Sequence, residues 1–100
     1  MRIALVGCKG TTWDLLNSIV SQRSFSLDYV ITLPRRLANA NSVAFYKGEE
    51  ITSYCRKHDI PTYVARSYHL KRAEDLQFFK KAGIDLLLVM GWERLIPAEV

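Results

Sequence analysis

The sequence predicts an α/β fold in which a parallel sheet of about four strands carries helices on both faces. Short apolar segments alternate with amphipathic segments of helical periodicity, and this alternation indicates parallel strands joined by right-handed helical crossovers. Apolar residues make up 49% of the chain, enough for a packed core, whereas 5 glycines and 3 prolines exclude collagen-like and low-complexity classes. A length of 100 residues limits the chain to one domain.

The first strand is predicted over residues 2–7 (R-I-A-L-V-G), an apolar run with β-branched residues that ends at a glycine. A helix follows, for which Thr11 or Thr12 can provide the cap and Asp14 the negative charge in the first turn. Apolar residues recur at helical spacing until residues 21–24 end the helix. Because no signal-peptide pattern opens the chain, we expect a cytoplasmic protein.

The second strand is predicted over residues 27–33 (L-D-Y-V-I-T-L), because Pro34, which cannot donate to a strand ladder, stops the apolar run. Residues 34–45 carry proline, arginine, asparagine and small residues, a composition that indicates a loop. A helix is then predicted from residue 49 or 50 to residue 58. Its apolar face consists of Ile51, Tyr54, Cys55 and His58.

The second half of the chain predicts a short edge strand, a helix and a fourth strand. The edge strand covers residues 62–65, and the helix covers residues 70–82 and ends at Gly83 as its C-cap. The core face of this helix consists of Ala73, Leu76, Phe79 and Ala82. Residues 84–91 (I-D-L-L-L-V-M-G) are apolar enough for a strand covered on both faces, and residues 97–100 open another helix.

The predicted strand order, 3-2-1-4, places the first and fourth strands side by side. In a Rossmann-like sheet, ligands bind beyond the carboxyl ends of the strands at this switch point in the topology. The turns that leave the two strands, residues 7–12 and 91–97, should therefore meet and form one cleft.

The turn after the first strand has the composition of an anion-binding turn. Its residues are Gly7, Cys8, Lys9, Gly10, Thr11 and Thr12. Free backbone N–H groups and the positive end of the following helix suit a phosphate or a carboxylate. The turn matches neither the G-x-G-x-x-G motif of dinucleotide binding nor the G-x-x-x-x-G-K-[ST] motif of phosphate-cradling loops. The position of Cys8 at a helix N-terminus predicts an acidified thiol, although no base is placed beside it.

The turn after the fourth strand combines an aromatic ring with a cation. Trp92 and Arg94 can together enclose a flat ring and pair with an anionic tail. After the second strand, Arg35 and Arg36 suit the 2′-phosphate of NADP, since the acidic residue typical of an NAD site is missing there. A net charge of +4 fits an anionic substrate, and the spacing of the two cysteines matches no zinc motif, so no metal site is predicted.

The stretch from Ile60 to Val100 resembles the folate-dependent formyltransferase family. The family carries an "HxIPv" segment and later a "pDlivv-G-(aromatic)-x-x-ilp-x-x-(v/l)" segment. This chain reads H-D-I-P-T-Y-V at 58–64 and I-D-L-L-L-V-M-G-W-E-R-L-I-P-A-E-V at 84–100. The residues that fall on the family positions are Asp85, Gly91, Trp92, Leu95, Ile96 and Pro97. The resemblance extends, less specifically, over the whole chain.

The resemblance implies that residues 1–100 are the N-terminal part of a formyltransferase catalytic domain, which transfers a formyl group from 10-formyltetrahydrofolate to a primary amine. By position, the residues that would contact the folate are Trp92, Glu93, Arg94, Leu95 and Ile96. Those that would face the amine substrate are Gly7, Cys8, Lys9, Gly10 and Thr11. The family's catalytic Asn-x-His pair does not occur in this sequence, so we assign no catalytic residue and expect the chain to be inactive alone.

The identity of the amine substrate is predicted by elimination. The turn after the first strand lacks the G-T-P-x-F-A typical of methionyl-tRNA formyltransferases and the G-x-G-S-N typical of glycinamide ribonucleotide enzymes. An amino-sugar nucleotide is therefore favoured, with methionyl-tRNA next, and no membrane partner is expected. The alternative function is that of an NADP- or nucleotide-binding Rossmann-like module without catalysis of its own. A third is an interaction domain with a plain α/β core.

Overall fold

The described part of the chain alternates strands and helices and confirms the predicted α/β fold. A computed structural model describes residues 1–23, 25–40, 51–92 and 96. Its elements are β1 (Ile3–Val6), α1 (Gly10–Gln22), β2 (Tyr29–Thr32), α2 (Arg35–Ala40), α3 (Ile51–Lys57), β3 (Thr62–Val64), α4 (Ala73–Ala82) and β4 (Leu86–Val89). The four strands form one parallel sheet in the order β3-β2-β1-β4, as predicted.

The central strand β1 divides its side chains between two cores, because successive residues of a strand point to opposite faces. Ala4 and Val6 belong to one core, which includes Phe79 of α4. Leu5 belongs to the other, which includes Leu16 of α1. Helices therefore cover both faces of the sheet, as a parallel sheet requires.

The helix α1 begins earlier than predicted, at Gly10 with Lys9 as its N-cap residue. Thr12 therefore lies in the first turn, where its hydroxyl accepts a hydrogen bond from the Lys9 N–H at 3.2 Å. The expectation that Asp14 lies in the first turn is wrong, since that turn contains no acidic residue. Thr12 therefore stabilises the start of α1 from a position inside the helix, because its hydroxyl bonds to the N–H of the N-cap residue Lys9.

The helix α2 replaces part of the loop predicted over residues 34–45. The carbonyl oxygen of Pro34 accepts hydrogen bonds from the N–H groups of Leu37 and Ala38, both at 3.0 Å. Proline has the backbone angle that a helix start needs, so it opens this helix as well as ending β2. Ala38 is fully buried and holds the helix against the core. Residues 41–45 lie outside the described part of the chain.

Two predicted helical faces need correction. His58 is exposed and follows the end of α3, although its ring still contacts that of Tyr54 at 4.4 Å between centroids. The last helix begins at Ala73 instead of residue 70, because Leu70 adopts a left-handed conformation with φ of +60°. Ala73 is exposed, and the buried polar residue on this helix is Asp75, which the apolar periodicity did not identify.

The strand β4 is only partly covered, contrary to the prediction of burial on both faces. Its end residues Leu86 and Val89 are 44% and 45% exposed, because β4 has a neighbour on one side only among the described strands. The short strand β3 occupies the opposite edge of the sheet, as predicted. The helix predicted over residues 97–100 lies outside the described part of the chain.

Candidate functional site

The turns that leave β1 and β4 lie in direct contact, as the switch-point argument predicts. The strands pair in register up to Val6 and Val89, and the Met90 N–H donates to the Val6 carbonyl oxygen at 3.1 Å. Thr12 Oγ1 donates to the Met90 carbonyl oxygen at 2.5 Å while accepting from the Lys9 N–H. Thr12 is fully buried. One buried hydroxyl therefore joins the two turns and the start of α1.

Two glycines allow these turns to approach so closely. A Cβ atom at Gly7 would overlap the Met90 carbonyl oxygen and the Thr12 hydroxyl. Gly91 has a φ of +78°, and a Cβ atom there would lie 2.5 Å from Thr12 Oγ1 and 3.1 Å from Lys9 Cβ. The first position needs glycine for space, and the second needs it for both space and conformation.

The predicted substrate-facing residues of the first turn differ in their access to solvent. Gly7 and Cys8 are buried, Lys9 and Gly10 are half-buried, and Thr11 is exposed. Burial raises the pKa of the Cys8 thiol from its usual 9.0 to about 11, and the nearby Lys9 charge offsets only part of this effect. The expectation of an acidified thiol is therefore wrong. Lys9, Gly10 and Thr11 remain as the groups of this turn that can meet a ligand.

The side chain of Trp92 lies in the core instead of standing open beside the cleft. It is 6% exposed, and its ring meets that of Tyr68 in an edge-to-face contact at 5.1 Å between centroids. Trp92 Nε1 is buried and has no hydrogen-bond partner. Ile96 is half-buried and packs against the same core. The other predicted folate contacts, Glu93, Arg94 and Leu95, lie outside the described part of the chain.

A buried carboxyl group organises the loop after β3, at the same edge of the sheet. Asp75 is fully buried and accepts hydrogen bonds from Tyr63 Oη at 2.6 Å, the Arg66 N–H at 2.8 Å and Ser67 Oγ at 2.5 Å. Sequence reasoning missed this cluster. The available signal was that Asp75 lies four residues before Phe79, on the buried face of the helix, where a carboxyl group needs partners.

The cluster around Asp75 holds the shape of the loop after β3. Burial, together with the hydrogen bond to Asp75, raises the pKa of Tyr63, so its hydroxyl keeps the proton that it donates. The Tyr63 ring stacks on Phe78 at 4.1 Å between centroids, with 8° between the ring planes. The loop fixed in this way carries Tyr68, the ring that contacts Trp92. Asp75 thus positions the loop that carries Tyr68, whose ring packs against Trp92 at the candidate site.

Two of the concave spaces that described residues line lie at opposite edges of the sheet. One, of about 240 Å³, lies at the carboxyl ends of β2 and β3. Its lining includes Thr32, Leu33, Pro34, Arg35, Ile51 and Val64. The other, of about 390 Å³, lies at the amino ends of these strands and includes Leu27, His58 and Ile60. Parallel sheets bind ligands at their carboxyl edge, so the smaller space is the better candidate for a site.

The remaining polar features of the described residues indicate structural roles. His69 Nδ1 accepts a hydrogen bond from the Lys71 N–H at 2.9 Å, which fixes the turn before α4.

Within residues 1–23, 25–40, 51–92 and 96, no group of three or more His, Cys, Asp or Glu side chains is placed to hold a metal ion. None of the helices found there is long and apolar enough to cross a membrane.

No protein-family model matches the sequence, and no curated protein matches it.

Proposed function

We propose that this chain is the folate-binding part of a formyltransferase, an enzyme that transfers a formyl group from 10-formyltetrahydrofolate to a primary amine. The observation that carries the proposal is the contact between the turns after β1 and β4, joined through Thr12 and Met90 at the switch point of the sheet. Ligands of such sheets bind beyond these strand ends. In the proposed complex the folate lies against the turn after β4, and the amine substrate lies against the turn after β1.

The orphaned indole N–H of Trp92 supports a ligand at this edge. Buried donors in folded proteins are almost always hydrogen-bonded, and Trp92 Nε1 is not. A reduced pterin ring carries nitrogen and oxygen acceptors around its rim, and one of these would satisfy the indole. The role we propose for Trp92 is thus that of an edge-on donor, whereas the sequence predicted an open stacking surface.

The charge and the polar groups of the first turn suit an anionic amine substrate. Lys9 and Thr11 flank the N-terminus of α1, where backbone N–H groups and the helix dipole favour a phosphate. An amino-sugar nucleotide carries such phosphates and is the favoured substrate, with methionyl-tRNA next. When bound, 10-formyltetrahydrofolate would supply the formyl group, and residues of this chain would orient the two partners. Because the sequence contains no Asn-x-His pair, we expect binding by this chain without turnover.

The alternative function, an NADP- or nucleotide-binding module, depends on the basic residues that follow β2. Arg35 and Arg36 are both exposed in the first turn of α2, at the carboxyl edge of the sheet. Guanidinium groups there suit the 2′-phosphate of NADP. If this function is correct, NADPH should stabilise the protein more than NADH does, and a reduced folate should not.

Titration calorimetry with 5-formyltetrahydrofolate, a stable relative of the donor, tests the proposal. The informative variant is Trp92→Phe, which removes the indole N–H but keeps an aromatic ring in the core. Loss of one hydrogen bond should weaken folate binding about 3- to 10-fold. The matched control is Trp13→Phe, because Trp13 packs against Tyr54 on the other face of the sheet. Absence of folate binding by the unmodified chain, or equal effects of the two variants, would reject the proposal.

A further inference from the structure

A cavity of about 390 Å³ lies where α1 and α3 end, at the amino edge of the sheet. Sheet topology directs ligands to the opposite edge, so a ligand of this cavity must be recognised by the cavity's own residues. Its lining includes the apolar residues Ile19 and Leu27, both buried in the core that α1 covers. The volume falls within the roughly 300–1,000 Å³ of small-molecule sites.

Two residues of opposite charge line the rim of this cavity. Arg23 is the C-cap residue of α1, and Asp59 lies two residues beyond the end of α3. Both residues are exposed and both line the cavity. Neither side chain has a hydrogen-bond or ion-pair partner among the described residues. The guanidinium group and the carboxylate are therefore available to a ligand.

Both charged residues have a left-handed backbone, with φ of +51° at Arg23 and +56° at Asp59. After α3, the Asp59 N–H donates to the Arg56 carbonyl oxygen at 3.4 Å, and the Ile60 N–H donates to the Cys55 carbonyl oxygen at 2.9 Å. These are the hydrogen bonds of a Schellman motif, and they fix the position of Asp59. Glycine is the usual residue at such helix ends, and aspartate adopts this conformation more readily than arginine does. Helix termination alone therefore favours glycine at position 23, and the arginine indicates a role for its guanidinium group.

We propose that this cavity binds a free α-amino acid with an aromatic side chain, whose carboxylate pairs with Arg23 and whose ammonium group pairs with Asp59. An α-amino acid carries these two opposite charges on one carbon atom, beside a side chain that can enter the apolar space. The planar guanidinium group can donate two parallel hydrogen bonds to a carboxylate. An aromatic side chain is favoured because the exposed rings of Phe25 and His58 line the cavity and can pack against it. The site lies at the opposite edge of the sheet from the turns after β1 and β4, so it is independent of folate binding.

Titration of the ¹⁵N-labelled chain with L-phenylalanine, followed by nuclear magnetic resonance, tests the site. L-Phenylalanine should bind and shift the backbone signals of Ser26 and Ile60, which both line the cavity. L-Phenylalaninamide lacks the carboxylate and 3-phenylpropionate lacks the ammonium group, so each should bind about 3- to 10-fold more weakly.

Two variants assign the charged partners. Arg23→Gln should weaken binding of L-phenylalanine about 3- to 10-fold but leave binding of L-phenylalaninamide unchanged. Asp59→Asn should weaken binding of L-phenylalanine to the same extent but leave binding of 3-phenylpropionate unchanged, and asparagine also tolerates the left-handed conformation. The matched control is Arg56→Gln, which removes a positive charge from the last turn of α3 without changing a residue that lines the cavity.

A second readout separates ligand recognition from a structural role. Without ligand, Arg23→Gln and Asp59→Asn should each change the melting temperature by less than about 4 °C, because both side chains are exposed. A larger fall would mean that the charged group has a structural partner, and the proposal would be overturned. It would also be overturned if L-phenylalanine failed to bind, if either analogue bound as tightly, or if Arg56→Gln weakened binding as much as Arg23→Gln. Folate titrations of these variants should be unaffected.

Discussion

Replacing Thr12 by valine should uncouple the turns after β1 and β4. The substitution keeps the branched shape of the side chain but removes the hydroxyl that donates to the Met90 carbonyl oxygen at 2.5 Å and accepts from the Lys9 N–H at 3.2 Å. Two part-buried backbone groups then lose their fully buried partner. The folded state should be destabilised because water replaces only part of the lost hydrogen bonding.

The expected magnitude follows from counting these two groups. A buried polar group that loses its partner costs roughly 1–3 kcal/mol, and the low end applies because Lys9 and Met90 are not fully buried. Thr12→Val should therefore lower the free energy of unfolding by about 2–3 kcal/mol, or the melting temperature by roughly 10–20 °C in a domain of this size. Thr12→Ser keeps the hydroxyl and loses one buried methyl group, at a cost of about 1 kcal/mol.

Urea denaturation, followed by far-ultraviolet circular dichroism, measures both variants on the same scale. The order of stability should be wild type, then Thr12→Ser, then Thr12→Val. If Thr12→Val proves as stable as Thr12→Ser, the hydroxyl does not join the two turns and the geometry of the cleft is wrong.

Four further predictions concern the buried groups and the chemistry. Asp75→Asn should lower the free energy of unfolding by about 2–4 kcal/mol, since three donors face this carboxyl group; a loss under about 1 kcal/mol in urea would contradict its positioning role. Burial raises the pKa of Cys8 to about 11 and that of Cys55 to about 12, so both thiols should resist Ellman's reagent at pH 8 until the protein unfolds. The thiols ionise at a lower pH in the unfolded chain than in the folded protein, so the free energy of unfolding should fall as the pH rises above about 9. The fall should be up to ~1.4 kcal/mol per pH unit for each thiol. A free energy of unfolding that stays constant up to about pH 11 would contradict this prediction. Purified residues 1–100 should show no formyl transfer, and any turnover would mean that the chemistry lies within this chain.

The sheet could be predicted because buried parallel strands have short apolar sequences, and segments with helical periodicity separate them along the chain. The strand order and the contact between the turns after β1 and β4 followed from handedness and topology. The start of the last helix could not be predicted in this way. Leu70 is apolar and fits the helical spacing, but it adopts a left-handed backbone and packs in the core before the helix begins.

The directions of the side chains in the two turns differ most from those that the sequence predicts. Cys8 continues the alternation of Ala4 and Val6 toward the core, so its burial could have been inferred from strand periodicity. The inward position of Trp92 depends on Tyr68, which lies in a loop shaped by hydrogen bonds between residues 8 to 12 positions apart. Contacts of this kind leave no periodic signal in the sequence.

The indole N–H of Trp92 offers the most direct test that a reduced folate occupies the edge formed by the turns after β1 and β4. Nuclear magnetic resonance of the ¹⁵N-labelled chain resolves the two tryptophan indoles, and Trp92→Phe assigns them. Saturating 5-formyltetrahydrofolate should shift the Trp92 indole signal and the backbone signals of Gly10 and Gly91, while the Trp13 indole stays in place. An unmoved Trp92 signal in the presence of saturating folate, or equal shifts of both indoles, would contradict the account.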